Sequence, residues 1–184
     1  MDILVTRRLT LRPPLEVDSD ALFEALSNTN ITRNLGSPPF PYLREHADEW
    51  IGKNSNGKNG CVYTIHRERL IGSVGVHDAS TQGEPPFLGY WLDEPYWGKG
   101  YMTEAARAVT AKAFRHYDTD EIRSYAHTGN VGSLKVMENL GFKHTGEGKT
   151  FNAVRNEDIP TVHTVLKRST FEQLFGSLET NEAA

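Results

Sequence analysis

Apolar residues recur at two spacings along this chain of 184 residues, and each spacing predicts a different kind of element. An alternation of apolar and polar residues, or a short apolar run bounded by turn residues, is typical of a strand. Such segments occur at residues 4–12, 62–66, 70–77, 87–92, 122–127, from 142 onward and at 161–167. The run at residues 87–92 is rich in aromatic side chains, which predicts a buried strand.

A spacing of three to four residues between apolar positions predicts helices. This spacing occurs at residues 19–26, 45–53, 101–117, 130–140 and 169–175. Gly141 stands where a left-handed C-terminal cap is expected for the fourth of these helices. Strands and helices alternate without strict βαβ repetition, so we predict an α/β fold with a mixed sheet. We expect one domain over residues 1–176 and a loose tail at residues 177–184.

The segment between residues 87 and 106 carries the clearest functional signal. Its strand leads past Pro95 into a turn in which Gly98 and Gly100 flank Lys99, and a helix follows directly. Glycine permits backbone conformations that other residues avoid. The first N–H groups of a helix have no partner within it, and the helix dipole adds partial positive charge there. This succession therefore predicts a binding site for a phosphate or pyrophosphate.

Two familiar phosphate-binding motifs do not match this segment. A P-loop requires a lysine after its second glycine, whereas Lys99 stands between Gly98 and Gly100. A dinucleotide-binding loop requires a third glycine where this chain has Thr103, and it usually follows the first strand of the domain. The sequence therefore favours neither of these nucleotide-binding folds.

The segment instead resembles the pyrophosphate loop of the GNAT superfamily of acyl-CoA N-acyltransferases, Arg/Gln-x-x-Gly-x-Gly/Ala. Residues 97–102, Trp-Gly-Lys-Gly-Tyr-Met, keep Gly100 in register with this motif, while Trp97 and Met102 depart from its two ends. A second block, residues 130–142, is similar to the Asn-x-x-Ser…Gly-Phe segment of one branch. That branch contains the RimJ and RimL ribosomal-protein N-terminal acetyltransferases.

The resemblance implies a twisted, mostly antiparallel sheet of about six to seven strands flanked by helices. It also implies a splay between the fourth and fifth strands, which here end at Asp93 and His127. Acetyl-CoA would be the co-substrate, and an amine would attack its thioester directly, without an acyl-enzyme. The implied coenzyme contacts are Tyr90, Trp91, Leu92, Trp97, Gly98, Lys99, Gly100, Tyr101, Met102, Thr103, Asn130 and Ser133.

Ser133 and Glu147 are the predicted catalytic residues. In the resembling branch the position of Ser133 lies beside the thioester sulfur, so its hydroxyl would protonate the leaving thiolate. A structural alternative stays open, in which Asn130 caps the helix and Ser133 is its third residue. Many relatives carry a carboxylate base two residues before the Gly-Tyr pair, where this chain has Phe87. Glu147 is therefore predicted to hold a water that relays the proton of the amine.

The acidity of the amine guides the prediction of the acceptor. An α-amino group has a pKa of about 8 and a lysine side chain about 10.4, so the α-amine is more often neutral. A chain without a strand-borne base therefore favours an α-amino terminus of a protein or peptide. A small amine, such as an antibiotic or polyamine, and a non-catalytic coenzyme-A-binding module remain as alternatives. Residues 28–43 form an irregular connection or a wall of the acceptor pocket, to which residues 81–86 would also contribute.

Other polar residues near the predicted cleft receive structural interpretations. His77, His127 and Asp93 end strands and are interpreted as solvated side chains. Glu104 is expected to order the first turn of the coenzyme helix. The histidines show no metal-ligand spacing, so we predict no metal. Cys61 has apolar neighbours and is interpreted as a packing residue.

Charge and composition exclude several classes of function. The net charge of −4 argues against a nucleic-acid partner, since such proteins carry a basic surface. No apolar run approaches the roughly 20 residues that span a bilayer, and the first residues lack the layout of a signal peptide. A single cysteine allows no internal disulfide and favours a reducing cytoplasm. Among oligomeric states, a homodimer is the default expectation.

Overall fold

The computed structural model describes residues 2–36, 38–55, 60–78 and 84–178. Within these ranges, eight strands form one sheet in the order β1-β2-β3-β4-β5-β6-β8-β7. Its neighbouring strands are antiparallel except β5 and β6, which run parallel. The strands are β1 Leu4–Val5, β2 Thr10–Arg12, β3 Cys61–His66, β4 Leu70–His77, β5 Phe87–Leu92, β6 Glu121–His127, β7 Lys143–Asn152 and β8 Glu157–Lys167.

Helices lie on both faces of this sheet. They are α1 Ser19–Leu26, α2 Thr29–Thr32, α3 Arg44–Asn54, α4 Tyr101–His116, α5 Val131–Leu140 and α6 Arg168–Phe175. The main core lies between the sheet and α4, α5 and α6, and a smaller core lies under α1 and α3. In the described ranges, no helix combines the length and the apolar character that a membrane crossing requires.

Strand β5 separates the two faces by the alternation of its side chains. Leu88 and Leu92 are buried in the main core and Tyr90 packs against it, whereas Trp91 packs against the smaller core. Phe87 pairs with His77 and points to the same side as Trp91. We call the side of Trp91 the α1/α3 face and the side of Tyr90 the α4/α5 face.

The predicted α/β class, the mixed and mostly antiparallel sheet and the splay are confirmed. The count of strands rises to eight because the segment predicted as one strand, residues 4–12, forms β1 and β2 with a turn between them. There the Thr6 N–H donates to the Leu9 C=O at 2.9 Å. Consequently the splayed strands, fourth and fifth in the prediction, are β5 and β6 here.

The expectation of a loose tail at residues 177–184 is wrong for its beginning. Leu178 is only 8% exposed and belongs to the main core. Its apolar side chain is stabilised by burial, and this anchors the chain beyond the end of α6. Residues 179–184 lie outside the described residues.

Candidate active site

The gap between β5 and β6 opens toward the C-terminal ends of both strands. The two strands pair at a single position, Phe87 with Arg123. Beside it, the Arg123 N–H donates to the Pro86 C=O at 2.9 Å, and the Ser124 hydroxyl donates to the Leu88 C=O, also at 2.9 Å. The register shifts of the sheet occur in β3 and β7, so no bulge in the described pairing of β5 causes the splay. Beyond residue 88, β5 and β6 have no described strand pairing.

The alternation of the backbone decides which groups of β5 face this gap. The Asp93 N–H donates to the Ile71 C=O at 2.8 Å on the β4 side. The even-numbered residues of β5 therefore direct their backbone groups away from β4. This places the Tyr90 N–H and C=O and the Leu92 N–H at the gap. The Leu92 C=O accepts a hydrogen bond of 2.7 Å from the Trp97 indole, so the predicted contact Trp97 also has a structural role.

The glycine turn presents backbone donors at the start of α4. Gly98 and Gly100 have φ angles of 70° and 75°, in the left-handed region that favours glycine. The Glu104 N–H donates to the Gly100 C=O at 3.1 Å, and the N–H groups of residues 101–103 precede that bond in the first turn. Residues 98–100 are exposed. The loop therefore has the backbone geometry of an accessible anion site.

The side chains of this loop are held in other contacts. Tyr101 and Met102 are buried in the main core, so of these two predicted contacts only the backbone can reach a ligand. The Lys99 ammonium donates to the Pro95 C=O at 2.8 Å and lies over the Tyr96 ring. An anion bound at this loop would consequently contact main-chain donors more than charged side chains.

An arginine from the β1–β2 turn braces the loop. The Arg8 guanidinium donates to Glu104 at 2.6 Å and to the Lys99 C=O at 2.9 Å, and it lies 4.4 Å from the Tyr101 ring centroid. The Thr6 hydroxyl also donates to Glu104, at 2.7 Å. Burial raises the pKa of Glu104, but the hydrogen bonds from Thr6 and Arg8 outweigh it and leave that pKa below its usual value.

We expect Arg8→Met to lower the affinity for acetyl-CoA about fivefold. A hydrogen bond to a charged group contributes about 1.5–3 kcal/mol, and the partial exposure of Arg8 reduces this to about 1 kcal/mol. Titration calorimetry measures the change, with the exposed Arg115→Met as the control. Adding Glu104→Gln to Arg8→Met would then lower the affinity for acetyl-CoA only slightly further, because the two side chains take part in the same contact. Equal affinity of Arg8→Met and the unaltered chain would contradict the brace.

The N-terminus of α5 lies across the gap from β5. The Asn130 side chain accepts a hydrogen bond of 3.1 Å from the Ser133 N–H, so Asn130 caps the helix as the structural alternative predicted. The Tyr90 hydroxyl donates to the Ser133 C=O at 3.0 Å, and this joins β5 to α5. Burial raises the pKa of Tyr90 far above its usual value, so its hydroxyl stays a neutral donor. Tyr90, Asn130 and Ser133 are thus brought together, and their contacts with the coenzyme stay a prediction.

One large cleft connects the gap with the α1/α3 face of the sheet. Its volume is about 1260 Å³, and Tyr90, Trp91, Asn130 and Ser133 line it. The glycine loop is not among its lining residues, so it lies outside the cleft. Of the predicted coenzyme contacts, the cleft therefore gathers Tyr90, Trp91, Asn130 and Ser133 and leaves the glycine loop outside, while the Leu92 side chain is buried in the main core.

The connection between α1 and α3, residues 28–43, forms one wall of this cleft. Glu94, which follows β5, accepts hydrogen bonds from Asn28 at 2.8 Å and from Asn30 at 3.1 Å. At the other end, Asn152 is 1% exposed and donates to the Leu35 C=O at 2.8 Å. The interpretation as a pocket wall is therefore favoured over an irregular connection. Residue 37 and residues 79–83, which include most of the second predicted wall, lie outside the described residues.

Glu147 lies at the rim of the cleft and its side chain is exposed. It is on the edge strand β7, in register with Val162 of β8, which pairs in turn with Ala126 of β6. Because Ala126 is buried in the main core, this register places Glu147 on the α4/α5 face. Its role as the holder of a relay water stays a prediction.

The three strand-end residues interpreted as solvated differ in their surroundings. Asp93 forms an ion pair of 2.7 Å with Arg69, and His77 lines the cleft. His127 also lines the cleft but is only 2% exposed, so its interpretation as solvated is wrong. Sequence patterns missed this because the backbone beside the ring of His127 includes that of Arg33, which is far away in the chain.

Two further predictions concern cysteine and metals. Cys61 is 3% exposed within the main core, and burial raises the pKa of its thiol, which agrees with a packing role and disfavours a nucleophile. Among the residues that the structure describes, no group of three or more histidine, cysteine, aspartate and glutamate side chains could hold a metal ion.

Sequence comparison identifies related proteins over most of the chain. The family model of the acetyltransferase (GNAT) domain matches residues 8–143. An uncharacterized N-acetyltransferase of Bacillus licheniformis, p20, is 24% identical over 174 residues, which are 91% of this chain and 98% of that protein. A probable N-acetyltransferase of Bacillus subtilis, YjcK, is 36% identical over 86 residues, or 46% of this chain and 48% of that protein.

Solved structures share the fold. RimL, a ribosomal L7/L12 alpha-N-protein acetyltransferase in complex with coenzyme A, superposes with a TM-score of 0.78 at 19% identity, over 90% of this chain and 98% of that one. These matches agree with the splay, the glycine loop and the cleft described above. The chain therefore belongs to the GNAT family, and it is an N-acetyltransferase with acetyl-CoA as its co-substrate.

Proposed function

We propose that this enzyme acetylates the α-amino terminus of a protein or peptide. The size of the cleft carries the proposal, because about 1260 Å³ exceeds the roughly 300–1,000 Å³ of clefts that enclose a small ligand. A pantetheine arm in the gap would leave room for several residues of an extended peptide. RimL, whose name describes an α-N-protein acetyltransferase, has a similar fold and supports the same choice.

The side chains on the α1/α3 face suit an amine of low pKa. Phe87 occupies the position where many relatives carry a carboxylate base, and its ring centroid lies 5.0 Å from that of Tyr125. An α-ammonium group, with a pKa of about 8, loses its proton far more readily than a lysine side chain. We infer that the acceptor needs only a weak base, in keeping with an N-terminal amine.

The backbone and Ser133 would then divide the chemistry. The pantetheine arm would pair with the Tyr90 backbone, and the N–H of Tyr90 or Leu92 would donate to the developing oxyanion. The Ser133 hydroxyl would donate a proton to the sulfur as the C–S bond breaks. Asn130 would contact the pantetheine arm, and the N–H groups of residues 98–103 would hold the pyrophosphate.

A small cationic amine is the second candidate acceptor. Among the residues that the structure describes, five carboxylates and two basic side chains, those of Lys53 and Arg123, line the cleft. The carboxylates are those of Glu49, Asp78, Glu84, Glu121 and Glu147. Such an excess of negative charge attracts a polyamine or an aminoglycoside. It would also attract a positively charged peptide terminus, so charge alone does not separate the two acceptors.

Release of free thiol from acetyl-CoA distinguishes these acceptors. We expect peptides with free N-termini to be turned over at least about tenfold more efficiently, in kcat/KM, than spermidine or kanamycin. Matched peptides with blocked N-termini and one internal lysine are the control, because they retain the charge but lack the α-amine. Turnover restricted to the small amines would contradict the proposed acceptor while leaving the acetyltransferase assignment intact.

A further inference from the structure

The imidazole ring of the buried His127 forms no hydrogen bond with the residues that the structure describes. We propose that His127 is the catalytic base that takes the proton from the attacking amine. This inference rests on the proposed function only for the identity of that amine. The proposal assigns to a residue of β6 the proton transfer that was predicted for a water held by Glu147.

The position of His127 is set by the end of β6. Its neighbour Ala126 points into the main core, so His127 points to the opposite, α1/α3 face, together with Tyr125. The His127 C=O accepts a hydrogen bond of 2.8 Å from the Asn130 N–H. The imidazole therefore stands three residues before the α5 cap, where β5 and β6 have already diverged.

The two ring nitrogens of His127 are buried polar atoms whose hydrogen-bonding capacity is not satisfied by the described residues. The side chain is 2% exposed and lines the cleft, and neither Nδ1 nor Nε2 has a hydrogen-bond partner in the part of the chain that the structure describes. A buried polar group without a partner is costly, so its retention calls for an explanation. An amine entering the cleft would supply the missing partner.

The protonation state of His127 suits a base. Burial lowers its pKa, and the positive charge of Arg155 lowers it further. The backbone of Arg33 opposes this shift without reaching hydrogen-bonding geometry with either nitrogen. Since the pKa lies below its usual value, the ring is neutral at pH 7 and one of its nitrogens carries a free lone pair.

The reaction balances with this base. The amine nitrogen forms a bond to the thioester carbon, and the carbonyl π pair moves to the oxygen. The nitrogen becomes positively charged and strongly acidic, so its proton passes to His127 even though the ring is a weak base. The oxyanion then re-forms the carbonyl as the C–S bond breaks, and the sulfur takes a proton from Ser133. His127 returns its proton to solvent, from which Ser133 is reprotonated.

His127 is better placed for this step than Glu147. Glu147 is exposed and lies on the α4/α5 face of the edge strand, with β8 between it and β6. His127 is buried on the face that the acceptor would occupy. A buried base also avoids competition from bulk water, which an exposed carboxylate does not.

Replacement of His127 by Asn or Gln tests the proposal. With the amine that the unaltered enzyme acetylates best, we expect kcat to fall about 100- to 1,000-fold at pH 7, the usual loss for a general base. Affinity for acetyl-CoA by calorimetry would stay within about threefold, which also shows that the variants fold. For His127→Ala, added imidazole would restore part of the rate.

His66→Asn is the matched control. His66 also ends a strand and also has a pKa lowered by burial, but its ring contacts the Thr64 hydroxyl at 3.0 Å and does not line the cleft. We expect His66→Asn to keep full kcat. Losses below threefold in both His127 variants, or no imidazole rescue, would overturn the proposal. If the variants do not fold, nitrogen NMR of the unaltered enzyme decides: unchanged His127 ring shifts on adding coenzyme A and the amine would overturn it.

Discussion

Gly100→Val is expected to reduce the affinity for acetyl-CoA at least about 30-fold. Gly100 has a φ of 75° and is the N-cap of α4, so its conformation directs the following N–H groups outward. A left-handed conformation costs an ordinary residue about 1–2 kcal/mol, and a β-branched side chain more. Valine would therefore move the backbone to negative φ and turn the donors away from the pyrophosphate. Titration calorimetry with acetyl-CoA measures the loss.

Gly100→Val is expected to change the backbone conformation around residue 100 without disturbing the rest of the fold. The position where its side chain would begin lies 3.5 Å from an Arg8 nitrogen, an ordinary contact, so steric overlap is not the cause. Gly52→Val in the exposed part of α3 is a suitable control, because no described heavy atom lies within 4 Å of that position. Circular dichroism would show a folded protein for both. Acetyl-CoA binding by Gly100→Val as tight as that of the control would place the pyrophosphate elsewhere.

Ser133→Ala is expected to lower kcat about 100-fold with little change in the affinity for acetyl-CoA. The backbone of Ser133 holds the helix start, through its N–H to Asn130 and its C=O to Tyr90, and alanine retains both of these bonds. Only the hydroxyl is lost, and with it the proton donor for the departing sulfur. Steady-state kinetics with saturating acetyl-CoA measures the effect.

Ser133→Thr serves as the matched variant because it keeps a hydroxyl at the same position. We expect it to retain a kcat within about fivefold of the unaltered enzyme. If alanine and threonine both preserve full turnover, Ser133 is only a helix residue beside its cap. If both lose turnover equally, the loss does not depend on the hydroxyl, and the assignment of Ser133 as an acid fails.

The cleft and the glycine loop are linked by the residues between them. Glu94 lies between β5 and the glycine loop and holds Asn28 and Asn30. Hydrogen bonding to these two amides lowers the pKa of Glu94. The wall of the cleft is thus fastened to the segment that leads into the glycine loop, and both are positioned by the same strand end.

The sequence by itself determined the parts whose physics is local. The glycine turn, the helix after it, the Asn130 cap and the left-handed Gly141 depend on residues within a few positions of one another. Backbone sterics and unsatisfied N–H groups operate at that range, so a short motif contains enough information. The splay was predicted as well, but only through resemblance to a family, because no local pattern encodes a missing strand pair.

The tertiary structure alone decided the contacts between distant segments. Arg8 reaches Glu104 across 96 residues of sequence, and Asn152 reaches Leu35 across 117. His127 is a buried ring with the backbone of the distant Arg33 beside it, and Leu178 is buried in the main core with residues of strands and helices that are far away in the sequence. Burial and pairing between distant segments depend on which surfaces pack together, and a pattern read along the sequence does not specify that packing.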